Sequence, residues 1–309
     1  MANPNTSYDQ VSAITERKFI PKLVDNIFDS NVLLKRFKEK NYEAQDGGTQ
    51  IVQPLGYATN AASGWYSGSD TLDTTDNDQI SAAVFDWKFI HATISIKGPD
   101  EIKNSGLPAI LKLAAQKTKM AEKTLMDSLG TGLYNSGSDT KAIAGFRQLF
   151  STSNTVGGIS TSTNSWWRAQ IDSSNTTLTI PVLQTQFTNC TIDSDRPTIV
   201  VSTRANYDRY YNQLQPQQRF MDSETAKGGF TSLMFNGVPW VPDSKCPTSH
   251  VLFLNENYLS LVYHPKRNFF FEPFAKPVNQ DAKVAHVYWA GCFTTSNNRL
   301  HAMFTALAA

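Results

Sequence analysis

A long polar stretch separates two segments of the chain that have the alternating pattern of β-strands. Residues 49–57 (TQIVQPLGY) and 82–97 (AAVFDWKFIHATISIK) alternate apolar and polar side chains, which predicts two strands. Residues 57–81 between them are rich in Gly, Ser, Thr, Asn and Asp. Because a structureless connection of this length is uncommon within a compact domain, we expect a hairpin whose long tip is functional or contacts another molecule.

The clearest helical pattern comes next, over residues 107–129. Pro108 suits the first turn of a helix, and Gly130 suits the position just past its end. At the usual rise per residue the helix would be about 33 Å long. Its basic side carries four lysines, namely Lys112, Lys117, Lys119 and Lys123.

The N-terminal part of the chain predicts a second helical region, over residues 8–40. Its apolar face includes Ile20, Leu23, Ile27 and Phe28. We expect this face to pack on the body of the protein or on a neighbouring molecule. The charged run Lys35–Lys40 at the end of the region is typical of a solvated face.

The second half of the chain mixes helices and strands without a regular alternation. Residues 181–189 and 203–214 predict helices on either side of a buried strand at 197–201. Asn236-Gly237 is the strongest short hairpin signal, within residues 233–241. Further apolar strands follow to the end of the chain, so the predicted class is α+β.

Composition excludes several classes of function. The chain has 309 residues, 18% of them charged, and a formal net charge of +1, whereas a dedicated nucleic-acid binder carries a clear basic excess. The low charge content suggests that much of the surface meets other protein.

Cys190, Cys246 and Cys292 are far apart and form no CxxC, which disfavours a disulfide framework or a zinc site. No secretory signal and no apolar run long enough to span a bilayer is present in the sequence.

Catalytic motifs are also missing from the sequence. It contains no GxSxG elbow and no phosphate-binding loop, and its five histidines have no metal-ligand spacing. Asp70, Asp73, Asp76 and Asp78 crowd the long loop without the pattern of a calcium loop, so we interpret them as solvated carboxylates or partners of a neighbouring chain. Trp166 and Trp167 suit packing in a core or interface better than a stacking platform for bases. We therefore expect no enzyme activity, no cofactor and no metal.

The order of these elements, with two local motifs, resembles the major capsid proteins of tailed double-stranded DNA bacteriophages of the Hong Kong 97 (HK97) type. The motifs are VGGIS followed by SWWRAQ, and the stretch from Phe235 to Phe271 (FNGVPWVPDSKCPTSHVLFLNENYLSLVYHPKRNFFF). The resemblance implies five parts: an N-terminal arm (1–47), an E-loop hairpin (48–97), a peripheral domain with a spine helix near 107–129 (98–175), an axial domain (176–265), and return strands of the peripheral domain (266–309).

The resemblance implies a subunit that self-assembles into an icosahedral head around phage DNA. Its partners would be copies of itself in hexamers and pentamers, together with scaffolding, portal and decoration proteins. Phage DNA would contact the inner face without sequence specificity. Assembly would take place in the host cytoplasm, and no membrane would be involved. In this fold the E-loop lies near the spine helix of a neighbour, so the four loop aspartates would face the four helix lysines. The alternatives are an encapsulin-like compartment subunit or, in another class, a β-rich adhesin or an unrecognised hydrolase.

Two departures from the family pattern carry further expectations. The predicted arm starts close to Met1, so we expect no long scaffolding segment before it. No Lys occurs between Lys40 and Lys88, so we expect no Lys–Asn cross-link from the E-loop.

Overall fold

A computed structural model describes residues 32–99, 107–174, 176–214, 225–226, 230–231 and 233–307. Its helices are α1 (Val32–Lys40), α2 (Leu107–Gly132), α3 (Phe146–Leu149), α4 (Ile180–Asn189) and α5 (Arg204–Leu214). Its strands are β1 (Tyr42–Ala44), β2 (Ile51–Gly56), β3 (Ile80–Phe85), β4 (Lys88–Lys97), β5 (Thr155–Val156), β6 (Ile159–Ser160), β7 (Gln170–Asp172), β8 (Ile199–Ser202), β9 (Thr225–Ala226), β10 (Phe230–Thr231), β11 (Leu233–Phe235), β12 (Val238–Pro242), β13 (Val251–Leu254), β14 (Leu259–Tyr263), β15 (Phe270–Ala275), β16 (Ala282–Thr295) and β17 (Ala302–Phe304).

A five-stranded sheet is built around the long strand β16. Antiparallel β4 pairs with β16 from Ala282↔Lys97 to Gly291↔Lys88, and β14 and β15 also pair with β16. Helix α2 packs against β4. The buried side of the sheet, with Trp289 and Phe293, belongs to the larger of two hydrophobic cores.

A six-stranded sheet with the order β11-β12-β8-β13-β17-β7 lies between the two cores. Along β8, Ile199 and Val201 belong to the larger core, whereas Val200 belongs to the smaller core with α4 and α5. Burial on both faces explains why this strand is apolar at consecutive positions instead of alternating.

The second half of the chain confirms the sequence predictions closely. Helices α4 and α5 flank the buried strand β8, as expected. Asn236 and Gly237 both have positive φ, 51° and 77°, and join β11 to β12 in a two-residue turn. The overall class is α+β.

Residues 82–97 form two strands, so the prediction of one continuous strand is wrong. Strand β3 ends at Phe85 and pairs with β2, whereas β4 begins at Lys88 and pairs with β16. Strict alternation along one strand would place Phe85 and Phe89 on the same face, but Phe85 is 6% exposed and Phe89 is 73% exposed. The strand breaks because its two halves pair with different partners.

Helix α2 is longer than predicted, because it continues past Gly130 to Gly132. Leu129 and Leu133 on either side are buried, so packing outweighs the helix-ending tendency of glycine. A Cβ on Gly132 would lie 2.9 Å from Cγ1 of Ile143, so a side chain would not fit there without a shift.

Strand pairing crosses the predicted boundary between the axial domain and the peripheral domain. Strand β17, from the expected return segment, pairs with β13 of the expected axial segment and with β7 of the expected peripheral segment. The division into arm, E-loop, peripheral and axial domains stays a prediction. Within the described ranges, no helix combines the length and apolar character needed to cross a membrane.

Candidate interaction surfaces

The tip of the β2–β3 hairpin, residues 57–79, is exposed at nearly every position, and we call it the loop tip. The last rung of the hairpin is the hydrogen bond from the Tyr57 N–H to the Gln79 carbonyl, at 3.0 Å. Beyond this rung the loop tip has no strand or helix. Trp65 is fully exposed, and Tyr66 and Leu72 are largely exposed. Aromatic side chains are enriched at the centres of protein interfaces, so these residues suit contact with another molecule.

The four aspartates of the loop tip are all exposed in the single chain, which suits both interpretations of them. Asp70 accepts the N–H of Ser67 at 2.8 Å. Asp73 accepts the side-chain hydroxyl of Thr75 at 2.6 Å and its N–H at 2.9 Å, and these two bonds lower the pKa of Asp73. Hydrogen bonds of this kind, from a nearby backbone N–H to an Asp side chain, are common in turns. Asp76 and Asp78 are exposed beside them.

The lysines of α2 do not form one uniform surface. The Lys117 ammonium donates to the carbonyl oxygen of Ser95 on β4 of the same chain. Lys119 and Lys123, one turn apart, are exposed. Lys112 lies in the same helix, at a position whose side chain is outside the described part. Among the described residues no ion pair joins these lysines to the loop aspartates, and the predicted contact between subunits stays a prediction.

The apolar face predicted for the N-terminal arm, Ile20, Leu23, Ile27 and Phe28, lies outside the described residues. The described part of the arm, residues 32–47, contains α1 and β1, and α1 buries Leu33, Leu34 and Phe37 in the larger core. The ring of Phe37 meets the ring of Phe293 edge-on, with centroids 4.8 Å apart. The last turns of the arm are therefore an integral part of the body.

The charged run at the end of the arm is not a solvated face throughout, so that interpretation is wrong at Arg36. The Arg36 guanidinium donates to both carboxylate oxygens of Glu256, at 2.6 and 2.8 Å, and Glu256 is 1% exposed. Lys40 donates to the same carboxylate at 2.9 Å. Burial alone would raise the pKa of Glu256, but the hydrogen bonds and charges of Arg36 and Lys40 outweigh it and lower that pKa.

The two short motifs of the family resemblance contact the hairpin at both ends of its β2–β3 ladder. The Val84 N–H donates to the Gly157 carbonyl, within VGGIS. The ring of Tyr57 stacks on Trp166, within SWWRAQ, with centroids 5.6 Å apart. The Trp167 indole is buried and donates to the carbonyl of Val156 at 3.0 Å. The expected packing role of the tryptophan pair is confirmed, whereas the link to the hairpin was not predicted.

A basic cleft of about 650 Å³ lies at the C-terminal end of α2. Its walls include Phe89, Lys141 and Arg147, all exposed. Lys245 on its rim is paired with Asp127. In the described ranges, no three His, Cys, Asp or Glu side chains come close enough together to hold a metal ion.

The sequence model of the SU10 major capsid protein family matches residues 111–308. The fold is similar to the capsid asymmetric unit of Cyanophage A-1(L), with a TM-score of 0.64, 14% identity, and coverage of 87% of this chain and 91% of that chain. It is also similar to the capsid of a native GTA particle, with a TM-score of 0.61, 11% identity, and coverage of 88% and 90%. The SrpI encapsulin of Synechococcus elongatus PCC 7942 gives a TM-score of 0.55 at 11% identity, with coverage of 87% and 85%.

No protein of curated function matches the sequence. The structural likenesses confirm the HK97-type capsid fold, which phage capsids share with encapsulins, so the fold alone does not separate these two classes. The family match separates them, because it extends from the long helix to the last strand. The chain belongs to the SU10 major capsid protein family.

Proposed function

We propose that this capsid subunit is joined to its neighbours through the loop tip. The proposal rests on Trp65, which is fully exposed. This residue lies in a loop whose described hydrogen bonds, over residues 60–77, all join residues of the loop to one another. Burial of a large exposed aromatic ring in a partner lowers the free energy of binding, and Trp and Tyr contribute much of the binding energy in protein interfaces. A second copy of the chain is the partner that a shell protein always has.

Charge would orient this contact. The loop tip carries Asp70, Asp73, Asp76 and Asp78, and residues 49–87 contain no Lys or Arg. Exposed Lys119 and Lys123 on α2 form one complementary surface. Each exposed pair contributes only about 0–1 kcal/mol, so the charges set register and speed of docking more than affinity.

The basic cleft is a second receiving surface of complementary charge. Lys141 and Arg147 are exposed on its walls, and the exposed ring of Phe89 offers an apolar contact for the aromatic residues of the loop tip. Helix lysines and cleft are distinct targets, and charge reversal at each tells them apart.

Copies of the chain form hexamers and pentamers of an icosahedral shell, with the arm of residues 1–47 and the loop tip as adjustable contacts around a shared body. Scaffolding, portal and decoration proteins are its further partners, and the packaged DNA meets the inner face without sequence specificity. Assembly takes place in the host cytoplasm.

Replacing Trp65 tests the loop contact. We expect Trp65→Ser to leave a folded subunit that assembles slowly or stops at small oligomers, because the ring contributes to binding and not to the core. Trp65→Phe is the matched control, since it keeps an aromatic ring, and should assemble more nearly like the wild type. Light scattering follows assembly, and circular dichroism checks folding. Wild-type assembly by Trp65→Ser would refute the proposal.

A further inference from the structure

The chain passes between its two sheets through two short connections that lie side by side. Residues 255–258 connect β13 of the six-stranded sheet to β14 of the five-stranded sheet, and residues 296–301 connect β16 back to β17. The Ser296 N–H donates to the Tyr258 carbonyl at 3.0 Å. The Asn255 N–H donates to Nδ1 of the buried His301 at 3.2 Å. The two connections are therefore hydrogen-bonded to each other at one junction, beside the larger core to which both sheets contribute.

The arm helix α1 holds this junction from outside through a single carboxylate. Glu256 lies in the first connection, and its carboxylate accepts hydrogen bonds from Arg36 and Lys40. The Asn41 side chain, just after α1, donates to the carbonyl oxygens of Glu256 and Leu259. Residues of the arm therefore form hydrogen bonds with both the side chain and the backbone of the first connection.

The same carboxylate also reaches the six-stranded sheet. Thr198, just before β8, makes two hydrogen bonds to Glu256. Its hydroxyl donates to Oε2 at 3.0 Å and accepts the backbone N–H of Glu256 at 3.0 Å. Arm, first connection and six-stranded sheet therefore meet at one buried side chain. We call Arg36, Lys40, Thr198 and Glu256 the junction cluster.

A buried ion pair of this kind is a poor source of stability. The free energy needed to remove both charges from water is about as large as the free energy gained from their attraction. Well-packed apolar residues of similar volume often give a protein of equal stability. Hydrogen-bond directions, by contrast, fix geometry: a planar guanidinium that grips a carboxylate through two bonds permits one relative placement. The junction cluster is suited to fixing an angle.

We propose that Glu256, held by Arg36 and Lys40, is a positioning residue that sets the angle between the two sheets and thereby the curvature of the shell. Many copies of one subunit close into a uniform shell only if each copy has nearly the same shape. The angle between the sheets is a property of the single subunit and does not depend on the loop contact proposed above.

The test replaces the clasping pair by apolar residues in the full chain. The double variant Arg36→Met/Glu256→Met leaves no unpaired buried charge, because half-exposed Lys40 can turn to solvent. We expect it to fold with nearly wild-type thermal stability and to assemble, but with loss of the single shell diameter seen by electron microscopy. The exposed pair Arg204–Asp208, 3.3 Å apart on α5, supplies the matched control, and Arg204→Met/Asp208→Met should keep the uniform diameter.

Uniform shells of wild-type diameter from Arg36→Met/Glu256→Met would overturn the inference. If that variant does not fold, the single variant Lys40→Met tests the inference instead. It removes one hydrogen bond to Glu256, and the Lys40 side chain is half-exposed, so its replacement should be tolerated. Its shells should then vary in diameter, and uniform shells would overturn the inference. Arg36→Lys, which keeps the charge but loses the two-bond grip, should lie between the wild type and the double variant. Failure of the loop contact would give few shells at all, so the two proposals fail separately.

Discussion

The N–H of Val84 in the hairpin donates to the carbonyl of Gly157 in the body, at 2.9 Å. The two segments are so close that a Cβ on Gly157 would lie 2.7 Å from the Cβ of Ala83. Gly157 also has φ of +59°, where side chains are strained. Its neighbour Gly158, at φ +80°, has open space around the position of a Cβ. The base of the hairpin therefore depends on a glycine at position 157.

Gly157→Ala should cost more stability than Gly158→Ala. Backbone strain of about 1–3 kcal/mol applies to both variants, and overlap with Ala83 applies only to the first. Urea denaturation of the unassembled subunit gives both free energies of unfolding, and hydrogen exchange of residues 80–85 reports the hairpin. Equal losses in the two variants would show that the contact with Ala83 contributes nothing.

Local patterns in the sequence predicted the elements whose shape depends on their own residues. Helix α2, the α4–β8–α5 unit and the Asn236-Gly237 turn all follow from spacing, proline or glycine position and apolar runs. The break after Phe85 could not be predicted, because it follows from the different partners of β3 and β4.

The interaction surfaces were predicted only in part, for similar reasons. Arg36 looked solvated because its partner Glu256 lies 220 residues away in the sequence. Lys117 bonds to the carbonyl of Ser95 within the chain, which helical spacing does not reveal. Trp65 and Tyr66 could have been noticed, since an aromatic pair inside a polar loop is itself a signal of contact.

Acid should destabilise the unassembled subunit through two buried histidines. Burial lowers the pKa of His301 to about 3, and burial together with the charge of Arg147 lowers that of His250 to about 4. Both are neutral when folded but become protonated in the unfolded chain below about pH 6.5, so unfolding takes up protons as pH falls. Stability should fall by about 1.4 kcal/mol per pH unit for each histidine. The lowered pKa of Glu256 acts only at more acidic pH.

His301→Gln isolates one of these contributions. Glutamine keeps an acceptor for the Asn255 N–H but does not titrate. Urea denaturation at pH 7 and pH 5 should show a smaller loss of stability in the variant than in the wild type. An equal loss would mean that His301 is not the titrating group.

Mature shells should lack covalent cross-links from the loop tip. No Lys occurs between Lys40 and Lys88, so the hairpin has no amine for a Lys–Asn bond. Boiling particles in detergent and reductant should release a single band near 34.3 kDa. A ladder of multimers that survives this treatment would contradict the prediction.

The loop aspartates should act on the rate of assembly. Replacing Asp70, Asp73, Asp76 and Asp78 by Asn should slow assembly and weaken its dependence on salt, because salt screens such pairs. A wild-type rate with the same salt dependence would show that the aspartates only keep the loop soluble.

Charge reversal identifies which surface receives the loop. Lys119→Glu/Lys123→Glu tests the helix, and Lys141→Glu/Arg147→Glu tests the cleft, with all four side chains exposed and so tolerant of change. The pair that slows assembly to the same extent as the four Asn replacements marks the receiving surface. No effect from either pair would exclude both surfaces.

The central claim is that this chain builds a closed shell in which each loop tip rests on another copy. A cryo-electron microscopy map of particles assembled from the purified chain, with its scaffolding protein if one is required, tests it most directly. The account predicts an icosahedral shell in which Trp65 of one subunit is buried against the body of its neighbour. A closed shell with Trp65 in solvent or folded back on its own subunit would contradict the loop contact, and the absence of any closed shell would contradict the claim as a whole.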